Sequence, residues 1–220
     1  MYLQTLTLIL KTEVPVLEGP EKLRGYIGNR FKENSILHQH EDNGKYLYKY
    51  PRVQYKIIEG TPVILGIEEG AAALKEIYEF LVELKLGNSF YQIEEKRIIE
   101  KRQKFGHAEP FQQYRTLSPW VALNETNYQI YLQCSSQEKV KLLQRILVGN
   151  LLSVSKSFDY VVLDQIKVKT KLSPTSILLK GIPFTGFEGE FQTNFYIPEY
   201  FGLGKSVSRG FGTIRNGHNS

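Results

Sequence analysis

Residues 200–214 read YFGLGKSVSRGFGTI, and this stretch limits the chain more than any other. Four glycines, Gly202, Gly204, Gly210 and Gly212, fall within eleven positions, with Lys205, Ser206, Ser208 and Arg209 between them. Glycine lets backbone N–H groups approach a partner without a side chain in the way. Cations and hydroxyls beside such amides suit a phosphate. Two phosphate loops are excluded by spacing. A P-loop ending in Gly204-Lys205-Ser206 requires glycine at 199, which is Glu199. A dinucleotide fingerprint starting at Gly202 requires glycine at 207, which is Val207, and no βαβ unit can follow so near the end of the sequence. A backbone cradle for another phosphate-bearing ligand and a plain turn between strands are the two readings left.

Charge favours a polyanionic ligand. Residues 1–100 carry 13 Lys/Arg and 15 Asp/Glu, a net charge of −2. Residues 101–220 carry 15 against 8, net +7, and contain the glycine-rich stretch. The longest apolar runs fall well short of a membrane span, so no membrane partner is expected. The single Cys134 forms no internal disulfide, which fits a reducing cytoplasm.

Periodicity predicts an α+β chain. Residues 2–11 alternate as a half-buried strand, and residues 21–31 follow at helical spacing behind Pro20. Gly25 and Gly28 inside that helix suggest a close backbone or ligand approach. Strands are expected over residues 46–50, 53–58 and 62–67. A helix over 71–86, with Leu74, Ile77, Tyr78, Leu81 and Leu84 as its stripe, ends at Gly87-Asn88, and a strand covers 89–100. This β-α-β-β-α-β order is the ferredoxin-like unit. A looser second copy follows a seam near 101–106. It comprises strands over 112–122 and 129–133, a helix over 136–158 capped by Ser135 or Ser136, and strands over 161–171, 177–185 and 188–196. Two tandem ferredoxin-like, RRM-like domains with antiparallel sheets are therefore expected, spanning 1–100 and 101–220.

One cluster carries acid–base chemistry. In extended backbone, residues two apart face the same way, so His38 and His40 can address one site. Imidazoles titrate near neutrality and can act as general base and general acid. Two histidines without a third ligand nearby make a poor zinc site. Tyr46 and Tyr48 lie on one face of the strand that follows the turn at Asp42-Asn43-Gly44.

These features together resemble the CRISPR-associated endoribonucleases that cut precursor CRISPR RNA within its repeats, members of the RAMP superfamily, in the subgroup called b-type. The resemblance rests on the Gly202-x-Gly204-x5-Gly210-x-Gly212 pattern with its internal cations. It rests equally on Leu37-His38-Gln39-His40 followed by Tyr48-Lys49-Tyr50-Pro51-Arg52-Val53-Gln54-Tyr55-Lys56, and on the paired ferredoxin-like units. Residues 101–160 match only in outline. The resemblance implies metal-independent cleavage without a cofactor, in which the RNA 2′-OH attacks the adjacent phosphorus. The expected products are a 2′,3′-cyclic phosphate or 3′-phosphate and a 5′-OH.

By position, the resemblance makes His40 the principal acid–base group and His38 its partner. Tyr48, with Tyr46 as the rival, orients the 2′-OH. Lys45, Lys49 and Lys56 neutralise the phosphorane. Gly202, Gly204, Lys205, Ser208, Arg209, Gly210 and Gly212 hold RNA backbone, and Phe201 or Phe211 stacks on bases. The active site is then expected in the cleft between the two domains. Repeat RNA is the implied partner; a homodimer and association with a CRISPR effector complex stay open. The competing reading is a non-catalytic RNA-binding subunit of such a complex, which has no need of two imidazoles beside a tyrosine strand.

Overall fold

The computed structural model describes residues 1–37, 50–179 and 181–217. The histidine segment and the 46–50 strand expectation, apart from Tyr50, lie outside the described residues. The chain divides into two compact units. One runs from Tyr2 to Gln103 and also takes in Val207–Gly210; the other comprises Met1, Lys104–Ser206 and the chain from Phe211 onward.

The N-terminal unit contains β1 (Tyr2–Thr12), α1 (Pro20–Arg30), β2 (Val53–Ile58), β3 (Thr61–Ile67), α2 (Glu69–Ile77), β4 (Glu83–Leu86) and β5 (Ser89–Lys104). Its sheet order is β2-β3-β1-β5-β4, which is the ferredoxin-like order with β4 added at one edge. Leu6, Leu8 and Leu10 of β1 project into one core with Leu23 and Ile27 of α1 and Ala73, Leu74 and Ile77 of α2. Proline begins α1, where its missing N–H has no intrahelical partner to lose. Gly25 faces open space, so packing does not explain its lack of a side chain, contrary to the expected close approach.

The expected helix over 71–86 stops at Ile77. Tyr78–Phe80 tighten into a 3-10 turn, and 83–86 become a strand. Leu84 and Leu86 are buried while Glu83 and Lys85 are exposed, a period of two. The stripe Leu74, Ile77, Leu81, Leu84 fits a helix by spacing alone, and the hairpin overrides it. Gly87-Asn88 is the turn of that hairpin, with Gly87 at φ 66° and Leu86 opposite Ser89.

The C-terminal unit contains β6 (Gly106–Thr116), α3 (Glu125–Gln133), α4 (Ser136–Ser157), β7 (Val168–Leu179), β8 (Ile182–Tyr196) and β9 (Ile214–Asn216). Its order, β7-β8-β6-β9, repeats the ferredoxin-like arrangement. The glycine-rich stretch, which includes the 3-10 turn Val207–Arg209, lies between β8 and β9, where such a unit has its second helix.

α4 starts from a capping box in which Ser135 and Glu138 satisfy one another's backbone groups. Leu143, Leu147, Leu151 and Val154 are buried, whereas Val140, at the same helical spacing, is 43% exposed. Residues 129–133, expected as a strand, belong to α3. Asn124 caps that helix through its side chain, which accepts from the Asn127 amide at 2.7 Å. The three strands expected after α4 are two long ones. Ser173-Pro174 lies inside β7 and Gly186 inside β8. β7 is an edge strand, where a residue without an N–H is tolerated. Among the described residues no helix is long and apolar enough to cross a membrane.

Candidate active site and RNA-binding segment

β2 organises the candidate site. Val53 and Tyr55 lie on its core face; Gln54 and Lys56 lie on the other and are also buried. The Tyr55 hydroxyl donates to the Leu37 carbonyl at 2.7 Å, with both residues buried. Burial raises the pKa of this hydroxyl, so it is a neutral donor. Leu37, the last described residue before His38, is thereby tied to β2. At the far end of the segment, Arg52 accepts the Ile67 amide at its carbonyl, at 2.8 Å. Its Nε meets the Glu69 carboxylate at 2.7 Å. His38, His40, Lys45, Tyr46, Tyr48 and Lys49 are outside the described residues.

The glycine-rich stretch reaches the same strand. Val207–Gly210 belong to the N-terminal unit. A Cβ on Gly210 would lie 2.5 Å from Cγ of Pro20 and 3.0 Å from the Tyr55 carbonyl oxygen. Tyr55 therefore touches both Leu37, next to His38, and Gly210, next to Arg209. The sequence places Tyr55 in the strand expected over 53–58 and assigns it no role at the site. No local signal announces a contact between positions more than 150 residues apart.

The glycines do not form an open cradle. Gly204, Gly210 and Gly212 have φ of 84°, 84° and 63°, a region that favours glycine. The space beside each is filled by protein. A Cβ on Gly204 would lie 2.6 Å from both the Trp120 indole nitrogen and the Val121 carbonyl. One on Gly212 would overlap the Leu203 carbonyl. Gly202 is buried and bridged to Thr213. The amides of Lys205, Gly210 and Gly212 donate to Val121, Val207 and Pro119 within the protein. Those three amides are occupied, so the expected phosphate cradle gives way to close packing. Of the expected RNA contacts here, Lys205 is exposed and Ser208 and Arg209 are half-buried. The two expected stacking residues differ in exposure. Phe201 is fully buried, its ring centroid 6.1 Å from that of Phe158, while Phe211 is half-buried.

Lys56, expected at the phosphorane, is 1% exposed and donates to Oε1 of Gln54 at 3.1 Å. Enclosed in this way, its ammonium is not presented to a surface-bound phosphate. Burial pushes its pKa from 10.5 down to about 7. Because the folded value lies below the unfolded one, the unfolded chain binds more protons between the two, and stability rises with pH across that window. The expected rise from pH 7 toward 10 is on the order of 4 kcal/mol. Lys56→Met should flatten it, as read from denaturant unfolding at several pH values. An unchanged slope in the variant would place the proton uptake elsewhere.

Two antiparallel sheets, each with ferredoxin-like strand order, define a tandem ferredoxin-like protein. The family description "Cas6b N-terminal domain" matches residues 1–104, and "Cas6b C-terminal domain" matches residues 106–217. The chain belongs to the Cas6b family. It is similar to a crystal structure of Cas6b at 35% identity and a TM-score of 0.89, over 98% of this chain and 100% of that one. It is similar over the same shares to a crystal structure of a CRISPR RNA processing endoribonuclease Cas6b, at 32% identity and a TM-score of 0.79. An uncharacterised protein of Methanocaldococcus jannaschii is 41% identical over 140 residues, 63% of this chain and 95% of that protein.

Proposed function

We propose that this chain is a CRISPR RNA-processing endoribonuclease that cuts precursor CRISPR RNA within its repeats, without a metal ion. The observation that carries this reading is the likeness along the whole chain to a Cas6b described as a CRISPR RNA processing endoribonuclease. The convergence on Tyr55 supports the site, because it brings the flank of the histidine segment and the basic turn at Ser208-Arg209 onto one residue.

In this mechanism the RNA supplies its own nucleophile. One histidine of the His38–His40 pair takes the 2′-OH proton as that oxygen attacks phosphorus. The other gives a proton to the departing 5′-oxygen of the next nucleotide. His40 has the leading role, with Tyr48 or Tyr46 orienting the hydroxyl. Lys45 and Lys49 offset the charge of the phosphorane. Lys205, Ser208 and Arg209 hold the backbone on either side, and buried Lys56 takes no direct part.

Purified protein should cut repeat RNA in excess EDTA and leave a 2′,3′-cyclic phosphate or 3′-phosphate and a 5′-OH. Cleavage that EDTA abolishes, or a 5′-phosphate product, would overturn the mechanism. Tight binding with no cut would instead favour a non-catalytic RNA-binding subunit. Arg209→Ala should weaken RNA binding and lower the slope of log affinity against log salt by about 0.7, the value for one phosphate contact to a single strand. An unchanged slope would remove Arg209 from the interface.

A further inference from the structure

The C-terminal unit carries a cavity that the cleavage mechanism does not use. β6 pairs with β8 only as far as Arg115↔Glu190, yet β7 and β8 continue together to Leu179↔Ile182. Past Gly189 the two strands form an arm, joined to the rest by the Trp120↔Phe187 bridge. α3 lies against the arm, with the Tyr131 and Phe187 ring centroids 5.5 Å apart. Neither the arm's outer half nor α3 belongs to the minimal ferredoxin-like frame. Between them is a cavity of about 550 Å³ lined by Glu125, Tyr128, Thr175, Ser176, Phe184 and Thr185, among others.

The lining selects a class of ligand. Tyr128 and Phe184 each keep 38% of their surface exposed, so they do not serve chiefly as core. Aromatic faces of this kind accept a stacked base. The hydroxyls of Thr175, Ser176 and Thr185 can both donate and accept. Glu125 is the single Asp, Glu, Lys, Arg or His among the described lining residues. With no cation among the described lining residues, recognition of a phosphate group is disfavoured there, whereas a carboxylate accepts two adjacent donors well. Guanine presents two such donors, N1–H and N2–H, on its Watson–Crick edge. The volume lies within the roughly 300–1,000 Å³ of small-ligand sites.

We propose that this cavity binds a guanine base. The inference rests on the RNA-processing reading only for its expectation that the base is carried by RNA. The test is calorimetric titration of the full-length protein with GMP, CMP and inorganic phosphate. GMP should bind at least tenfold more tightly than the other two. Tyr128→Ala should weaken GMP about tenfold or more, as expected for a lost stacking contact, and Tyr128→Phe should retain it. Glu125→Gln, on the exposed first turn of α3, should narrow the difference between GMP and CMP, and it decides the matter if the Tyr128 variants melt early.

No saturable GMP binding at millimolar concentration, equal binding of CMP or phosphate, or full GMP affinity in Tyr128→Ala would each overturn the proposal. Repeat-RNA affinity separates the two sources of the base: a matching loss in Tyr128→Ala assigns the site to RNA, and an unchanged RNA affinity beside lost GMP binding assigns it to a free nucleotide. The wild-type cleavage assay is scored separately. GMP binding without RNA cleavage would uphold the cavity and sink the endoribonuclease reading.

Discussion

His40→Ala is expected to lower single-turnover cleavage of repeat RNA by about 10²–10⁴-fold, the usual contribution of one acid–base group, while RNA affinity stays within a few-fold of wild type. The separation follows from the proposed division of labour, in which Lys205, Ser208 and Arg209 hold the strand and the histidines move protons. A companion substrate isolates the same step from the RNA side. Repeat RNA with one 2′-deoxyribose immediately 5′ of the cut should bind and remain whole, since the attacking oxygen is gone. Cleavage at the wild-type rate by His40→Ala would displace the active site from this segment. Cleavage of the deoxy substrate would refute attack by the 2′-OH.

Gly212→Ala should destabilise the protein by about 3 kcal/mol or more, lowering the melting temperature by roughly 10 °C. The backbone there has φ 63°, and a Cβ would overlap the Leu203 carbonyl in a tight pairing: the Leu203 amide donates to the Gly212 carbonyl at 2.9 Å, and the Gly212 amide donates to the Pro119 carbonyl at 2.8 Å. The neighbours are backbone atoms that cannot swing away as a flexible side chain would. Gly25→Ala is the control, because a Cβ there meets nothing within 4 Å and the residue sits inside α1. That change should be neutral or stabilising by up to about 1 kcal/mol. Equal melting temperatures for Gly212→Ala and wild type would mean that the loop relaxes freely and that its glycines are not required by packing.

Much of the fold was legible because its local signals agree with its tertiary contacts. β1 shows two-residue alternation that the buried Leu6, Leu8 and Leu10 continue. α4 pairs a capping box with a helical stripe. Errors came where one residue pattern served two structures. Leu74 to Leu84 has helical spacing, but Leu84 and Leu86 also have strand spacing, and pairing with β5 decided between them. Residues 129–133, QIYLQ, resemble a strand, yet the Asn124 cap begins a helix that includes them. The expected strands over 161–171 and 177–185 leave Pro174 between them, yet it lies inside β7, whose edge position tolerates a missing N–H.

The candidate site divides along the same line. The sequence by itself determined the chemical groups: two histidines at a two-residue spacing, tyrosines and lysines after them, and a glycine-rich basic stretch far along the chain. Residue identity and short spacing are local properties, so they can be read without a fold. Tertiary structure alone decided how the described groups among them are placed. It enclosed Lys56 against Gln54, turned the glycines toward protein rather than ligand, and set Leu37 and Gly210 on the same tyrosine. Burial and contact depend on atoms distant in sequence, and no periodicity in 220 residues encodes them.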